Sequence, residues 1–453
     1  MRRRYLALTL LVLAWALRLH RLGSPELWFD EAASYFIASR SWGEIVSYVM
    51  AAPFEHPPFY YLLLHGAMAL FGTAEWSLRF PSAALGLLLM ATIWRVVTDI
   101  ADARLALPSA AFAAVSPFLI TYSQEARMYS LLQGLGLVAT WLLLRACRQD
   151  RRSLWLLYAA ALAAGLLTHY YFAFLVLAHV AMACLALGRR SGTTWRLVGG
   201  LVGLSALAAA WLALAPGPRQ AALQVVRESL WGKSLESLGR LTTDWAYGGA
   251  IIVPRPNWTL LPALGLVGLV AVGLTYRPLS SRVRLALACW VLVPTLLAIA
   301  VPYGGLVLRH FSYVAPALCA LTAAGALSLW RRSAALGLLG SALVAGASLA
   351  GLTWHYSLDK GHYRQAMEHV QEHQRPGDLL VLSNPHQWVP FYYYNRTDLP
   401  FAPVGDGHEV PTEQLTGYRR VWLLEWQTWA MPEADYWRGQ LSQVLFPAYS
   451  IPY

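Results

Sequence analysis

Charge is what this sequence has least of. Only 13% of its 453 residues are Asp, Glu, Lys or Arg, and mean hydropathy is +0.44, where an ordinary soluble domain is roughly 25% charged. So little polar surface cannot keep a chain of this length in water, and most of it must be solvated by lipid. Lysine is nearly absent: Lys233 and Lys360 are the only two, so the net charge of +11 rests on arginine. Cysteine is scarce as well. Cys147, Cys184, Cys289 and Cys319 lie in or at the ends of apolar runs with no CxxC pair, which gives neither a disulfide nor a metal signal. No GxxxxGKS/T phosphate loop occurs, so nothing in the chain points to nucleotide-driven chemistry.

What is present is a succession of apolar stretches separated by short arginine patches: Arg2–Arg4, Arg145 to Arg152, Arg189 to Arg196, Arg277 to Arg284 and Arg331-Arg332. Basic patches between apolar runs orient a membrane protein, staying on the cytoplasmic side; they are not the continuous basic face of a nucleic-acid binder. The start resembles a signal peptide, but Ser24-Pro25-Glu26-Leu27-Trp28 offers no small-residue cleavage site, so it reads as a retained first helix. Spans are expected at 5–21, 79–97, 105–121, 127–145, 154–169, 171–188, 197–215, 258–275, 284–302, 311–329 and 335–353. A further apolar stretch, 57–72, has both ends on the outer side once the arginine patches are kept inside. It is therefore expected to be a juxtamembrane or re-entrant helix started by Pro57-Pro58.

The expected architecture is an all-α polytopic core of about eleven crossings, with the N-terminus inside. The core covers 1–354 and includes a first outer loop, 22–78. Beyond it, 355–453 reads as a small α/β domain outside the membrane. Its amphipathic helix runs from Tyr363 to Gln374, with buried strands at 379–382 and 421–424. Asn395-Arg396-Thr397 matches a glycosylation triplet.

Chemistry-bearing residues collect on the outer face. Asp30-Glu31 follow the first span beside Trp28 and Phe29. Carboxylates at a lipid boundary are costly unless paired or used. Two readings stand level: a base with its pKa raised by a low-dielectric wall, or Asp30 capping a helix that begins at Glu31. Glu55 and His56 precede Pro57-Pro58 and Tyr60; Gln124, Glu125, Arg127 and Tyr129 stand at another outer helix end; His169 lies in a tight turn. Arg309 faces outward against the charge rule, and with Arg127 and Lys233 it is a candidate for holding a phosphate. Catalysis on this face, away from cytosolic nucleotides, calls for an activated substrate delivered through the membrane. A lipid-phosphate-linked donor meets that need.

Asp30-Glu31, the run from Glu55 to Tyr61, Leu78 to Ser82 and the run from Tyr122 to Tyr129 together resemble the lipid-donor glycosyltransferases of the GT-C fold. The nearest group is bacterial glycosyltransferase family 39, relatives of protein O-mannosyltransferases and of the aminoarabinose transferase acting on lipid A. The resemblance implies a bacterial inner-membrane enzyme with a polyprenyl-phosphate sugar as donor and a protein, glycolipid or polysaccharide as acceptor. Asp30 would be the base and Glu31 would orient the acceptor. Glu55 falls at a position linked to a divalent metal, with His56 standing where the aminoarabinose transferase has another basic residue. Arg127, Lys233 and Arg309 would hold the donor phosphate, and Glu55, His56, Tyr60, Gln124, Glu125, Tyr129 and His169 would bind or orient substrate. The rival readings are a transporter or lipid-sugar flippase, and a non-catalytic membrane assembly protein.

Overall fold

A computed structural model describes residues 2–52, 55–185, 199, 200, 203, 214, 234–247, 260–300, 308–358, 360–382, 388–397, 399–403 and 417–424. Two compact units divide the chain. One comprises Met1–Leu22 with Arg40–Leu358; the other comprises Gly23–Ser39 with Asp359–Tyr453. The expected division at 354/355 is thus drawn at 358/359. The short stretch after the first helix, assigned in the sequence reading to the core, clusters with the C-terminal residues.

The first unit is helical. It contains α1 (Arg2–Leu19), then, after α2 in the other unit, α3 (Trp42–Ala51), α4 (Phe59–Phe71), α5 (Glu75–Ile100) and α6 (Ala103–Val115). There follow α7 (Pro117–Ser123), α8 (Tyr129–Gln149), α9 (Arg152–Leu166), α10 (Phe172–Leu185), α11 (Ser234–Tyr247) and α12 (Leu260–Gly273). The unit closes with α13 (Ser281–Ala300), a 3-10 turn at Leu308–Val314, α14 (Ala315–Arg332) and α15 (Ala334–Ser357). Each expected span overlaps these helices, 105–121 being divided between α6 and α7, except 197–215, which lies almost wholly outside the described residues. Five helices among the described residues are long and apolar enough to cross a membrane, and six if a bent pair counts as one span. The stretch 57–72 forms only the 13-residue α4, about 20 Å long against a hydrocarbon core of about 30 Å. Its first N–H, on Phe59, donates to the Leu167 carbonyl at 3.0 Å, which holds the start of α4 level with the end of α9.

The expected span 105–121 is broken. α6 and α7 bend by 58° at Ser116-Pro117. Proline has no N–H and pushes the residue before it into extended geometry, and Ser116 has ψ 119°. The last α6 carbonyls would be orphaned in lipid. Instead Arg18, fully buried in α1, donates to Ala113 and Ala114 oxygens at 3.3 Å each and to its own helix at Ala14. Gly86 makes room for this: a Cβ there would lie 2.6 Å from Ser123 Cβ and 3.0 Å from Arg18 Nε.

The second unit holds α2 (Phe29–Ala38), α16 (Tyr363–His373), β1 (Asp378–Leu382), α17 (Trp388–Tyr394), β2 (Phe401–Pro403) and β3 (Arg420–Leu424). The strands form a parallel sheet in the order β2-β1-β3. Both expected strands and the expected helix are present. β2 spans only three residues and α17 is a tyrosine-rich run, neither of which carries a period. Tyr363, Met367 and Val370 of α16 pack with Leu380, Leu382 and Phe391 into the core, as an amphipathic helix over a buried central strand requires. Asn395 of the glycosylation triplet uses its amide Nδ2 to donate to the Leu399 carbonyl at 3.0 Å, closing a turn.

Asp378, at the head of β1, accepts from Arg420 at 3.0 and 2.6 Å and from Trp422 Nε1 at 3.0 Å. Arg420 holds its carboxyl well below the usual range, at about 2. A depressed carboxylate stabilises the fold above its unfolded pKa of about 3.9. That contribution is lost as pH falls through the folded value. Amides of 378–382 should therefore lose hydrogen-exchange protection between about pH 4 and about pH 2, and an Asp378→Asn variant should start less protected and lack that transition.

Candidate functional site

Each unit carries one cluster of the residues singled out by sequence. In the second unit α2 begins at Phe29, with Trp28 as an N-cap that supplies no side-chain bond. Asp30 and Glu31 are second and third in the helix, so the expected cap at Asp30 does not form. Both sit in the first turn, where the helix dipole favours carboxylates, and their environments diverge. Glu31 is fully buried and its Oε2 accepts from Lys360 Nζ at 3.1 Å. Asp30 remains partly exposed, its backbone carbonyl accepting from Ser34 Oγ at 2.9 Å. Of the two carboxylates, Glu31 is withdrawn into its contact with Lys360 while Asp30 keeps access to solvent.

The second cluster lies in the membrane unit, where three loops meet. The 167–171 turn brings His169, and the 3-10 turn brings Arg309 and His310. Tyr313 ties these turns together by donating to the Tyr171 carbonyl at 2.8 Å. Ring centroids of His56 and His169 are 4.5 Å apart, and those of His169 and His310 5.6 Å apart. The guanidinium carbons of Arg127 and Arg309 stand 6.0 and 5.9 Å from the Tyr129 ring centroid, within cation–π range. Glu125, Tyr129, Arg309 and, from α11, Asp244 all lie within electrostatic reach of Tyr122. Arg127, Glu125 and His169 are buried.

The electrostatics of this cluster are set by burial and by the two arginines. Burial, then Arg127 and Arg309, push His169 down to about 3. Burial, then His169 and Arg127, hold His56 well below the ordinary imidazole range. Both rings are neutral at pH 7. Nδ1 of His169 accepts the Tyr171 backbone N–H at 3.2 Å, so the neutral ring carries its proton on Nε2. That Nε2 is buried with no hydrogen bond among the described residues, as is Nδ1 of His56.

The other expected residues are distributed around this cluster. Tyr60 is buried, with its hydroxyl 3.5 Å from Ser82 Oγ, which donates to the Arg127 carbonyl. It thereby shapes the loop that carries Arg127. Glu55 accepts from Tyr61 at 3.1 Å. Gln124, three residues from Arg127, turns the other way. Its Nε2 donates to the α1-end carbonyls of Leu17, Arg18 and His20, and its Oε1 lies 2.7 Å from His355 Nε2. Lys233 lies outside the described residues. Among the described residues no three His, Cys, Asp or Glu side chains are arranged to hold a metal ion. Two participants had weak sequence signals: Lys360, one of two lysines, and Arg18, an arginine inside an apolar run.

Residues 55–212 match the family model described as dolichyl-phosphate-mannose-protein mannosyltransferase. The match includes His56, Arg127 and His169 and begins after Asp30. No curated protein matches the chain at a significant level. Among solved structures, ArnT from Cupriavidus metallidurans superposes with a TM-score of 0.60 at 16% identity, covering 90% of this chain and 87% of that one. The Archaeoglobus fulgidus oligosaccharyltransferase gives 0.59 at 13% identity, covering 87% of this chain and 64% of its own longer one. Arabinofuranosyltransferase AftD from Mycobacteria gives 0.51 at 17% identity, covering 92% and 34%. The fold is the one these transferases share, and the match over residues 55–212 is to a glycosyltransferase family.

Proposed function

We propose that the enzyme moves a sugar from a polyprenyl-phosphate-linked donor to an acceptor hydroxyl on the extracytoplasmic face of a bacterial inner membrane. The observation that carries this reading is the Arg127–Arg309–His169 cluster. Arg127 and Arg309 both stand beside the buried His169 ring, adding to the burial that holds it neutral, and the His169 Nε2–H is a donor for a phosphate oxygen. ArnT has been solved bound to undecaprenyl phosphate, and the archaeal oligosaccharyltransferase AglB with a dolichol-phosphate and an inhibitory peptide. In the reaction Asp30 takes the acceptor proton, the acceptor oxygen attacks the sugar C1, and the C1–O bond to phosphate breaks. The electron pair leaves with the polyprenyl phosphate, and Arg127 and Arg309 stabilise its charge.

The test is a transfer assay in liposomes with a panel of purified polyprenyl-phosphate sugars, with and without a chelator. One or more should be consumed with transfer to a supplied acceptor; no transfer from any lipid-linked sugar would overturn the reading. In the same assay Arg309→Gln should raise the donor KM by about tenfold or more, the worth of about 1.4 kcal/mol from one charge-assisted hydrogen bond. An unchanged KM would remove Arg309 from the donor site.

A further inference from the structure

The segment that carries Asp30 is held at three points, each by a residue far along the chain. Glu26 Oε2 accepts the Arg364 backbone N–H at 3.0 Å, at the start of α16. The Leu27 backbone N–H donates to the buried Tyr394 hydroxyl, at the end of α17, at 2.8 Å. Glu31 accepts from Lys360 at 3.1 Å. The last is on the first turn of α2, one residue from Asp30, while farther along the helix Tyr35 and Phe36 pack edge-on against Tyr393, Trp388 and Tyr392 of α17. The Glu31 carboxylate is wholly withdrawn from solvent and Lys360 is 18% exposed, so the pair fixes a direction that neither chain end could hold against thermal motion alone. A buried charge that loses a partner is left at a cost, so removing Lys360 weakens what holds the Glu31 carboxylate inward.

We propose that Lys360 is a positioning residue for the transfer reaction, acting through Glu31 to hold the first turn of α2, and with it the Asp30 carboxylate, in reactive geometry. The proposal rests on Asp30 being the base, which Asp30→Asn tests separately. It changes the role of Glu31 from a group that meets the acceptor to one that transmits a constraint from the segment after α15. Among the described residues the charged side chains around this turn are Asp30 and Glu31 on α2, Glu26 before it, and Lys360 and Arg364 from the C-terminal residues.

The experiment uses the full-length enzyme in detergent or liposomes, with kcat, donor KM and the pH profile of kcat measured for three variants. Lys360→Met should lower kcat on the order of 10²-fold, the cost of about 1 Å of misplacement, with donor KM little changed. It should also move the acidic limb of the profile to higher pH, because a compensating cation has been removed beside two carboxylates. Glu31→Gln with Lys360→Met leaves no buried charge, so it should return the limb to its wild-type position and recover about tenfold of the lost kcat. Lys360→Arg, which keeps the charge, should leave the limb in place. A Lys360→Met enzyme within twofold of wild type, or one whose kcat falls while the limb stays put, overturns the proposal, the second outcome being what a purely structural pair would give. If Lys360→Met does not accumulate as folded protein, the double variant decides: it should fold with kcat about tenfold below wild type, and wild-type kcat in it would show that the tie does nothing for Asp30. Loss of activity in Asp30→Asn with a silent Lys360 would defeat this proposal alone; wild-type activity in Asp30→Asn would defeat the base assignment itself.

Discussion

Asp30→Asn should reduce sugar transfer by about 10²–10⁴-fold, the usual worth of a general base, while the protein still inserts and folds. Asparagine matches aspartate in shape but cannot take a proton. Its position, second in α2, gives a first-turn carboxylate a dipole interaction of about 0.3–1 kcal/mol, which the neutral amide forgoes. The neighbouring residue gives the contrast. Glu31→Gln would break a buried ion pair with Lys360 and should lower stability as well as rate. The two adjacent acids therefore separate by measurement: one variant is stable and inactive, the other less stable. Purified Asp30→Asn enzyme that transfers sugar at the wild-type rate would remove Asp30 from the mechanism.

How much of this was legible in the sequence follows from what each feature depends on. The apolar helices were, because hydropathy is a property of single stretches. The membership of 23–39 in the C-terminal unit was not, because it rests on Glu26, Leu27 and Glu31 meeting partners more than three hundred residues away. Proline content did not reveal the break between α6 and α7. Pro108 sits inside α6 without ending it, and Pro117 opens a new helix, where Arg18 accepts the burden of the freed carbonyls. The loop from Tyr122 to Tyr129 shows the same limit within the candidate site. Gln124 and Arg127 looked equivalent by spacing, yet one caps the end of α1 and the other faces the imidazole cluster. Arg309 stood out for the opposite reason, as an arginine that violates the charge rule at a helix end, and it lies beside His169 and Tyr129.

A second large effect is expected far from the chemistry, where α12 crosses α14. Gly273 faces Leu321 and Gly325 faces Leu269, a reciprocal pairing that makes the two helices antiparallel at their closest approach. A Cβ at Gly273 would lie 2.0 Å from the Leu321 carbonyl oxygen, and one at Gly325 would lie 2.0 Å from that of Leu269. The obstacle in each case is backbone, so no rotamer change relieves it and the helices must separate by more than an ångström. In lipid nothing compensates for that separation, because helix association depends on close packing rather than on a hydrophobic drive. Gly273→Ala and Gly325→Ala should each destabilise by at least about 1–3 kcal/mol, the range for overpacking, despite alanine's better helix propensity. Gly268, with nothing within 4 Å of its Cβ position, is the control on α12, and Gly268→Ala should be neutral or stabilising by up to about 1 kcal/mol. Because either substitution at the crossing forces the same separation, the second adds little once the first is present, and the double variant should cost clearly less than the sum of the singles. Reversible unfolding in mixed detergent measures all four variants. Additive effects at Gly273 and Gly325, or alanines there as harmless as at Gly268, would show that the helices do not meet through their backbones.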